Sequence, residues 1–420
     1  MIRKYLLLAL IGFCIASCEE ANDVPNGYIE ITQDGANTLV LKGYESASSG
    51  FSVFQPENFE APFYIKDKQF YGDKYEFAVV NEKRLDEMPD SPENVEWQKN
   101  TAITVDACYW IKCSSLTCFR YAKMRVTSIE GNDVTIEYVL GNTEVRENAN
   151  ANASDDKVSV TNFEIPHLNS ANYYVDHYVN YNGTEILNYA LEWDNVKRHS
   201  SWVAFSFDDV TCKDYVSRTD AWDVDPELPV EMQVSNDQHK NDGFDRGHIC
   251  ASEDRVYSIE ANEQTFYFSN MSPMIRAFNQ DYWTVFEQKV QAWGRSIPTD
   301  YDRLYIVKGG SLNHLLTNFT GAQKGSDGVY PQTDENGYTL KGLACPQYYF
   351  IAILSEKADV YHAIGFWVEH KDTMSVDDLK TYALSIDDLE KNTGLDFFCN
   401  LPDDVENSVE STWNEADWAW

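Results

Sequence analysis

About a third of the way along the chain, residues 143–157 read Thr-Glu-Val-Arg-Glu-Asn-Ala-Asn-Ala-Asn-Ala-Ser-Asp-Asp-Lys. A run this polar and repetitive carries too little apolar surface to offset the entropy of ordering itself, so it is expected to be a linker. The flanking parts must then each build a core of their own. At 420 residues the chain is long enough for two or three domains, and 43% hydrophobic residues exclude a largely disordered one. The expected divisions are 26–142, a linker over 143–172, a second domain over 173–405 and a tail over 406–420.

The first residues read as an address. Arg3 and Lys4 precede an apolar run from Tyr5 to Ile15, and Ala16-Ser17-Cys18 follow. A basic start, a short apolar stretch and small residues before a cysteine describe an export signal over 1–17. The run is too short to span a bilayer comfortably. The expectation is an exported lipoprotein of Bacteroides-like type, held at the outer membrane or cell surface by a lipid on Cys18, with 18–25 as a tether. In an oxidising compartment, disulfides are permitted. Seven cysteines follow the leader: Cys108, Cys113, Cys118, Cys212, Cys250, Cys345 and Cys399. Their odd number leaves at least one unpaired. Local pairing among the first three is expected rather than zinc, and Cys250 with Cys345 and Cys212 with Cys399 are plausible long-range bonds.

Residues 26–142 carry short alternating runs, among them Tyr28–Thr32, Tyr75–Val80 and Asp133–Leu140, broken by Gly, Asn, Asp and Ser. That pattern predicts antiparallel strands, and a small β-sandwich of unknown role. The second region mixes strands (Trp202–Phe207, Phe266–Ser269, Leu304–Lys308, Tyr348–Leu354) with helices over Phe278–Trp293 and Val376–Lys391. The fold class is therefore α+β.

Chemistry concentrates between Asp245 and Glu287. Asp245-Arg246-Gly247-His248 sets an acid, an arginine and a histidine side by side. Asn270-Met-Ser-Pro273 and Asn279, Trp283 and Glu287 follow. These residue types suit hydrolysis of a phosphodiester. A histidine can deprotonate water near neutral pH. An amide oxygen such as that of Asn279 suits Mg²⁺, which favours oxygen ligands and keeps several waters. Arginine offers paired donors to phosphate oxygens. Asn279 and Glu287 lie eight residues apart, about 12 Å of helical rise and about 80° in direction. Direct ligation of one small ion by both is strained, so Glu287 is expected to act through water.

These motifs, in this order, resemble those of the DNA/RNA non-specific endonucleases, the ββα-metal nucleases of the Serratia and mitochondrial type. Arg218-Thr-Asp-Ala-Trp222, Leu304–Gly310, Ala363–Trp367 and Thr393–Phe398 extend the likeness over about residues 173–405. The resemblance implies a ββα-metal domain that cuts DNA and RNA, single or double stranded, leaving 5′ phosphates. It implies His248 as general base, Asn279 as direct ligand of Mg²⁺ (or Mn²⁺), and Glu287 as holder of metal-bound water. Arg246 and Arg218 become phosphate contacts, and Asn270 positions His248 or the substrate. No nucleotide cofactor is implied. Met274 stands where the family often has Gln, a departure expected to alter a cleft contact.

The formal net charge of -35 argues against a protein that coats nucleic acid through broad basic patches. Residues 241–300 hold nine Asp or Glu against five Lys or Arg. Weak, salt-sensitive binding and a strong need for a divalent cation are expected. Two other readings fit the residues less well: an inactive surface module that binds a polymer, and a phosphodiesterase for smaller substrates.

Overall fold

In a computed structural model, residues 37–46, 52–57, 59–92, 94–153, 157–372 and 378–420 are described. The leader over 1–17, Cys18 and the strand expected at Tyr28–Thr32 lie outside them. The chain divides into two compact units, one ending at Val145 and the other spanning Arg146–Trp420.

The first unit is built of antiparallel strands: β1 (Asn37–Lys42), β2 (Val53–Phe54), β3 (Phe63–Lys66), β4 (Gln69–Tyr71), β5 (Tyr75–Val80), β6 (Asn100–Ala102), β7 (Cys108–Ser114), β8 (Cys118–Glu130) and β9 (Asp133–Val145). They form a five-stranded sheet, β1-β9-β8-β7-β5, and a four-stranded sheet, β2-β3-β4-β6. Alternate residues such as Leu39 and Leu41, Phe63 and Ile65, and Val134 and Ile136 enter one apolar core shared by both sheets. This is the period-two signal that the sequence displayed.

The second unit carries β10 (Tyr173–Tyr181), β11 (Thr184–Asp194), β12 (His199–Phe207), β13 (Asp245–His248), α1 (Ile259–Gln264), β14 (Met271–Met274), α2 (Trp283–Arg295), β15 (Arg303–Gly310), β16 (Tyr348–Lys357), β17 (Val360–Glu369), β18 (Ala383–Leu384), α3 (Ile386–Thr393) and α4 (Asp403–Glu410). Seven of these strands make an antiparallel sheet in the order β10-β11-β12-β15-β16-β17-β18. Its central strands are apolar on both faces because both are covered. On β17, Phe366 meets Phe286 of α2 at 5.7 Å between rings, while its neighbour Gly365 lies against Leu389 of α3. Successive strand residues point to opposite faces, so the two helices flank the sheet from opposite sides. The architecture is α+β, as expected.

Two helix expectations change. Phe278–Tyr282 winds as a π turn before α2 begins, with the Thr284 hydroxyl donating to the Asn279 carbonyl at 2.9 Å. Of the helix expected over Val376–Lys391, residues 376–377 lie outside the described ones, and α3 begins at Ile386, where the Ser385 hydroxyl accepts from the Asp388 amide and fixes the N-terminus. Residues 379–384 form a 3₁₀ turn and β18 instead. The strand expected at Phe266–Ser269 gives way to a 3₁₀ turn at Phe268–Asn270 leading into β14.

The polar run is hydrogen-bonded where it is described. The Asn152 side chain is buried, donates to Pro166 O at 3.0 Å and accepts from the Leu168 amide at 2.9 Å. Ala149 N donates to Asp403, and Asn150 Nδ2 to Glu406, each at 2.8 Å. Asparagine amides supply donors and acceptors that an apolar count overlooks.

Disulfides are corrected outright: all seven described cysteines are free and buried. Cys108 and Cys113 are five residues apart on β7, so they face opposite sides of the sheet. Across the strand pair Cys113 meets Arg120, and Cys118 meets Val145. Cys345 Sγ lies 3.6 Å from Pro273 O, and Cys399 Sγ 3.7 Å from Ile165 O. These thiols pack as small apolar groups. The membrane expectation is corrected too: among the described residues no helix is long and apolar enough to cross a membrane.

Candidate active site

β13 and β14 form a two-stranded ladder with Asp245 opposite Met274, Arg246 opposite Pro273, Gly247 opposite Ser272 and His248 opposite Met271. The ladder is tied to the main sheet through Ser272, whose hydroxyl lies 2.6 Å from both His199 Nε2 and the Tyr349 hydroxyl. A Cβ on Gly247 would sit 2.1 Å from Met274 Sδ, so the Met274 side chain fills the space that a larger residue at 247 would need. Met274 is buried in the core. The cleft contact expected of it is corrected: its side chain packs against Gly247 and does not line the cleft.

Strand alternation sends Arg246 and His248 to one side and Asp245 to the other. His248 is 8% exposed, and its Nε2 has no hydrogen-bond partner among the described residues. Phe266 meets the imidazole edge to face at 4.9 Å, and Trp222 lies 5.5 Å away. Burial, and then the guanidinium groups of Arg218 and Arg246, hold the imidazole down at about 3. His248 is therefore neutral at neutral pH, and a neutral imidazole nitrogen can accept a proton.

Trp222 orders the two arginines. The Arg246 guanidinium stacks 3.9 Å over the indole, and its Nη1 donates to Asn236 at 3.1 Å. Arg218 lies 4.6 Å over the Phe266 ring, with Nε donating to Asp220 at 2.8 Å. Aromatic contacts of this kind fix a guanidinium plane while leaving donors available.

On the opposite wall, Asn279 sits in the π turn. Its Nδ2 donates to Asp245 Oδ2 at 3.3 Å, and Gln280 Nε2 donates to the same oxygen at 2.9 Å. That bond commits the amide nitrogen of Asn279 and leaves Oδ1 as the atom able to ligate a hard cation, so the residue fits a magnesium ligand. One helical stretch on, burial raises the Glu287 carboxyl to about 7, against the pull of Lys308. Lys308 is itself fully buried and donates to Asp254 Oδ2 at 2.6 Å. Asp254 also accepts from Ala251 N and Gln291 Nε2.

Arg218, Arg246, His248, Asn279 and Glu287 line one cleft of about 350 Å³. Asn270 does not line it. Fully buried, Asn270 accepts from Cys250 N at 2.9 Å and donates to Cys250 O and Thr265 O, bracing the segment just after His248. A cavity of similar size, about 340 Å³, is lined by His167, Glu192, Asp194 and Asp396 with no lysine or arginine. Chemistry, not volume, distinguishes the first. Sequence reasoning missed the platform role of Trp222 and the Asp254–Lys308 pair. The pair spans 54 residues, and no local spacing announces it.

A two-stranded β-ladder followed by a helix, with a histidine on the strand and an amide side chain in the turn that leads into the helix, is the arrangement of a ββα-metal nuclease. Residues 169–404 match the family model described as DNA/RNA non-specific endonuclease, and the chain belongs to that family. A nuclease from Nostoc sp. is 27% identical over 226 residues, covering 53% of this chain and 75% of that protein. Nuclease C1 of Cunninghamella echinulata is 30% identical over 219 residues, covering 51% and 81%. The mitochondrial nuclease EXOG of Xenopus laevis is 27% identical over 238 residues, covering 53% and 60%.

Proposed function

We propose that the chain is an endonuclease that hydrolyses DNA and RNA with little sequence preference and depends on Mg²⁺. The observation that carries the reading is the unpartnered Nε2 of a neutral, buried His248 in the same cleft as Asn279 and two arginines. His248 Nε2 takes the proton from the attacking water. Arg246 and Arg218 donate to the phosphate oxygens, and Asn270 holds the segment that carries His248 in register. Asn279 Oδ1 would hold Mg²⁺ or Mn²⁺, with Glu287 acting through water. When bound, the cation offsets the charge that develops on the phosphate and the leaving oxygen.

The test uses residues 19–420 with circular plasmid and with RNA, in Mg²⁺ or EDTA, beside His248→Ala. Cutting of both substrates in Mg²⁺, abolished by EDTA and lowered by about 10²–10⁴ in the variant, is expected. Cleavage unchanged in His248→Ala would remove the proposed base, and binding without cutting would make the chain an inactive module. Export with a lipid on Cys18 belongs to the same proposal and rests on residues 3–18 alone. Palmitate labelling of the full chain that persists in Cys18→Ala would sink it.

A further inference from the structure

We propose that α3 and α4 build a second cation site, separate from the cleft, that takes one divalent ion of calcium type on Asp387, Glu390 and Glu410. One carboxylate oxygen from each of these residues lies within 4.8 Å of the others. Oxygens bound to one calcium ion at 2.3–2.6 Å can stand no further apart than about 5 Å, so the three fit a single coordination sphere. The ligands are all carboxylate oxygen, with no histidine or thiolate, which selects a hard cation over zinc or copper.

A cluster of acids alone would mean little on so acidic a chain. The independent observation is Glu410 Oε1. Glu410 is 6% exposed, and this oxygen is buried without any hydrogen-bond partner among the described residues. A buried carboxylate oxygen left bare is costly unless something positive meets it. No lysine or arginine forms an ion pair with Asp387, Glu390, Glu406 or Glu410 among the described residues; the lysine on α3, Lys391, pairs with Asp388 instead. The neighbouring acids are served by neutral donors only. The Phe397 amide donates to Glu390 Oε1 at 2.8 Å, and Asn150 Nδ2 donates to Glu406 Oε1 at 2.8 Å. The fold thus arranges hydrogen bonds around the rim and leaves the centre to a cation. None of these residues lines the cleft of His248 and Asn279.

The site has a structural consequence. Its ligands come from two helices, so a bound ion would cross-link α3 to α4. Through Asn150 and Glu406 it would also steady the segment that enters this unit at Arg146.

The test is thermal unfolding of residues 19–420 after chelation, with and without millimolar CaCl₂, in three backgrounds. Asn279→Ala removes the cleft ligand, Glu410→Gln removes the central carboxylate here, and Asp387→Asn removes a ligand nearer the surface should Glu410→Gln fail to fold. A calcium-dependent rise in Tm of about 5 °C or more is expected in the parent and in Asn279→Ala, and its loss in Glu410→Gln and in Asp387→Asn. In chelator, Glu410→Gln is expected to be about as stable as the parent, since burial and the acids around it already hold that carboxyl protonated without a cation. The proposal is overturned if calcium gives no rise in the parent. It is equally overturned if the rise survives both substitutions, or disappears in Asn279→Ala.

Discussion

His248 owes its reactivity to its surroundings. Phe266 and Trp222 exclude water from the ring, and Arg218 and Arg246 add positive charge beside it, so protonation is opposed from both directions. The sign follows directly: a base held below its ordinary value of about 6.5 stays active as pH falls through that value. The acid limb of kcat/KM is therefore expected below about 6.5. Arg246→Ala should move that limb upward, towards the ordinary histidine value, even as the rate drops. A pH profile of the two proteins on one oligonucleotide checks this, and an unmoved limb would mean that the arginine does not set the protonation of His248. His248 and Asn279 could be singled out because they stand in ordered motifs, Asp245–His248 and Asn270–Glu287, that resemble those of the family. The role of Trp222 was not, because stacking on Arg246 and packing near His248 are relations across 24 or more positions.

The β13–β14 ladder and the π turn before α2 bring those residues together. Apolar periodicity made the helix readable and the ladder was implied only by the family resemblance, while the π turn was not readable, since one shifted hydrogen bond leaves no mark on that periodicity. The spacing argument for Asn279 and Glu287 assumed uniform 3.6-residue winding, and the π turn changes that geometry at its first step. Gly247 lies directly against the Met274 side chain. Gly247→Ala is expected to cost about 1–3 kcal/mol by overpacking and to lower turnover by displacing His248. Adding Met274→Ala should recover part of both losses, because it removes the atoms that the new methyl meets. Unfolding and turnover of the single and double variants decide it. Strict additivity would show that the contact does not govern the site.

For the whole molecule, length allowed two or three domains and the polar run suggested the join; the chain divides into two compact units after Val145. That run was weighed by its apolar content alone, yet Asn150 bonds to Asp396 and Glu406, and the backbone amides of Ala149 and Asn152 donate to Asp403 and Asn400. Cysteine count and an exported reading suggested cross-links, yet all seven described thiols are free, and Cys108 and Cys113 face opposite sides of β7. The -35 charge remains a property of the surface, while the two cleft arginines supply local positive charge. The free thiols carry a practical meaning. A fold with no covalent cross-link among its described residues has nothing for dithiothreitol to break. Its seven buried thiols are expected to react with a thiol reagent only once the chain is unfolded.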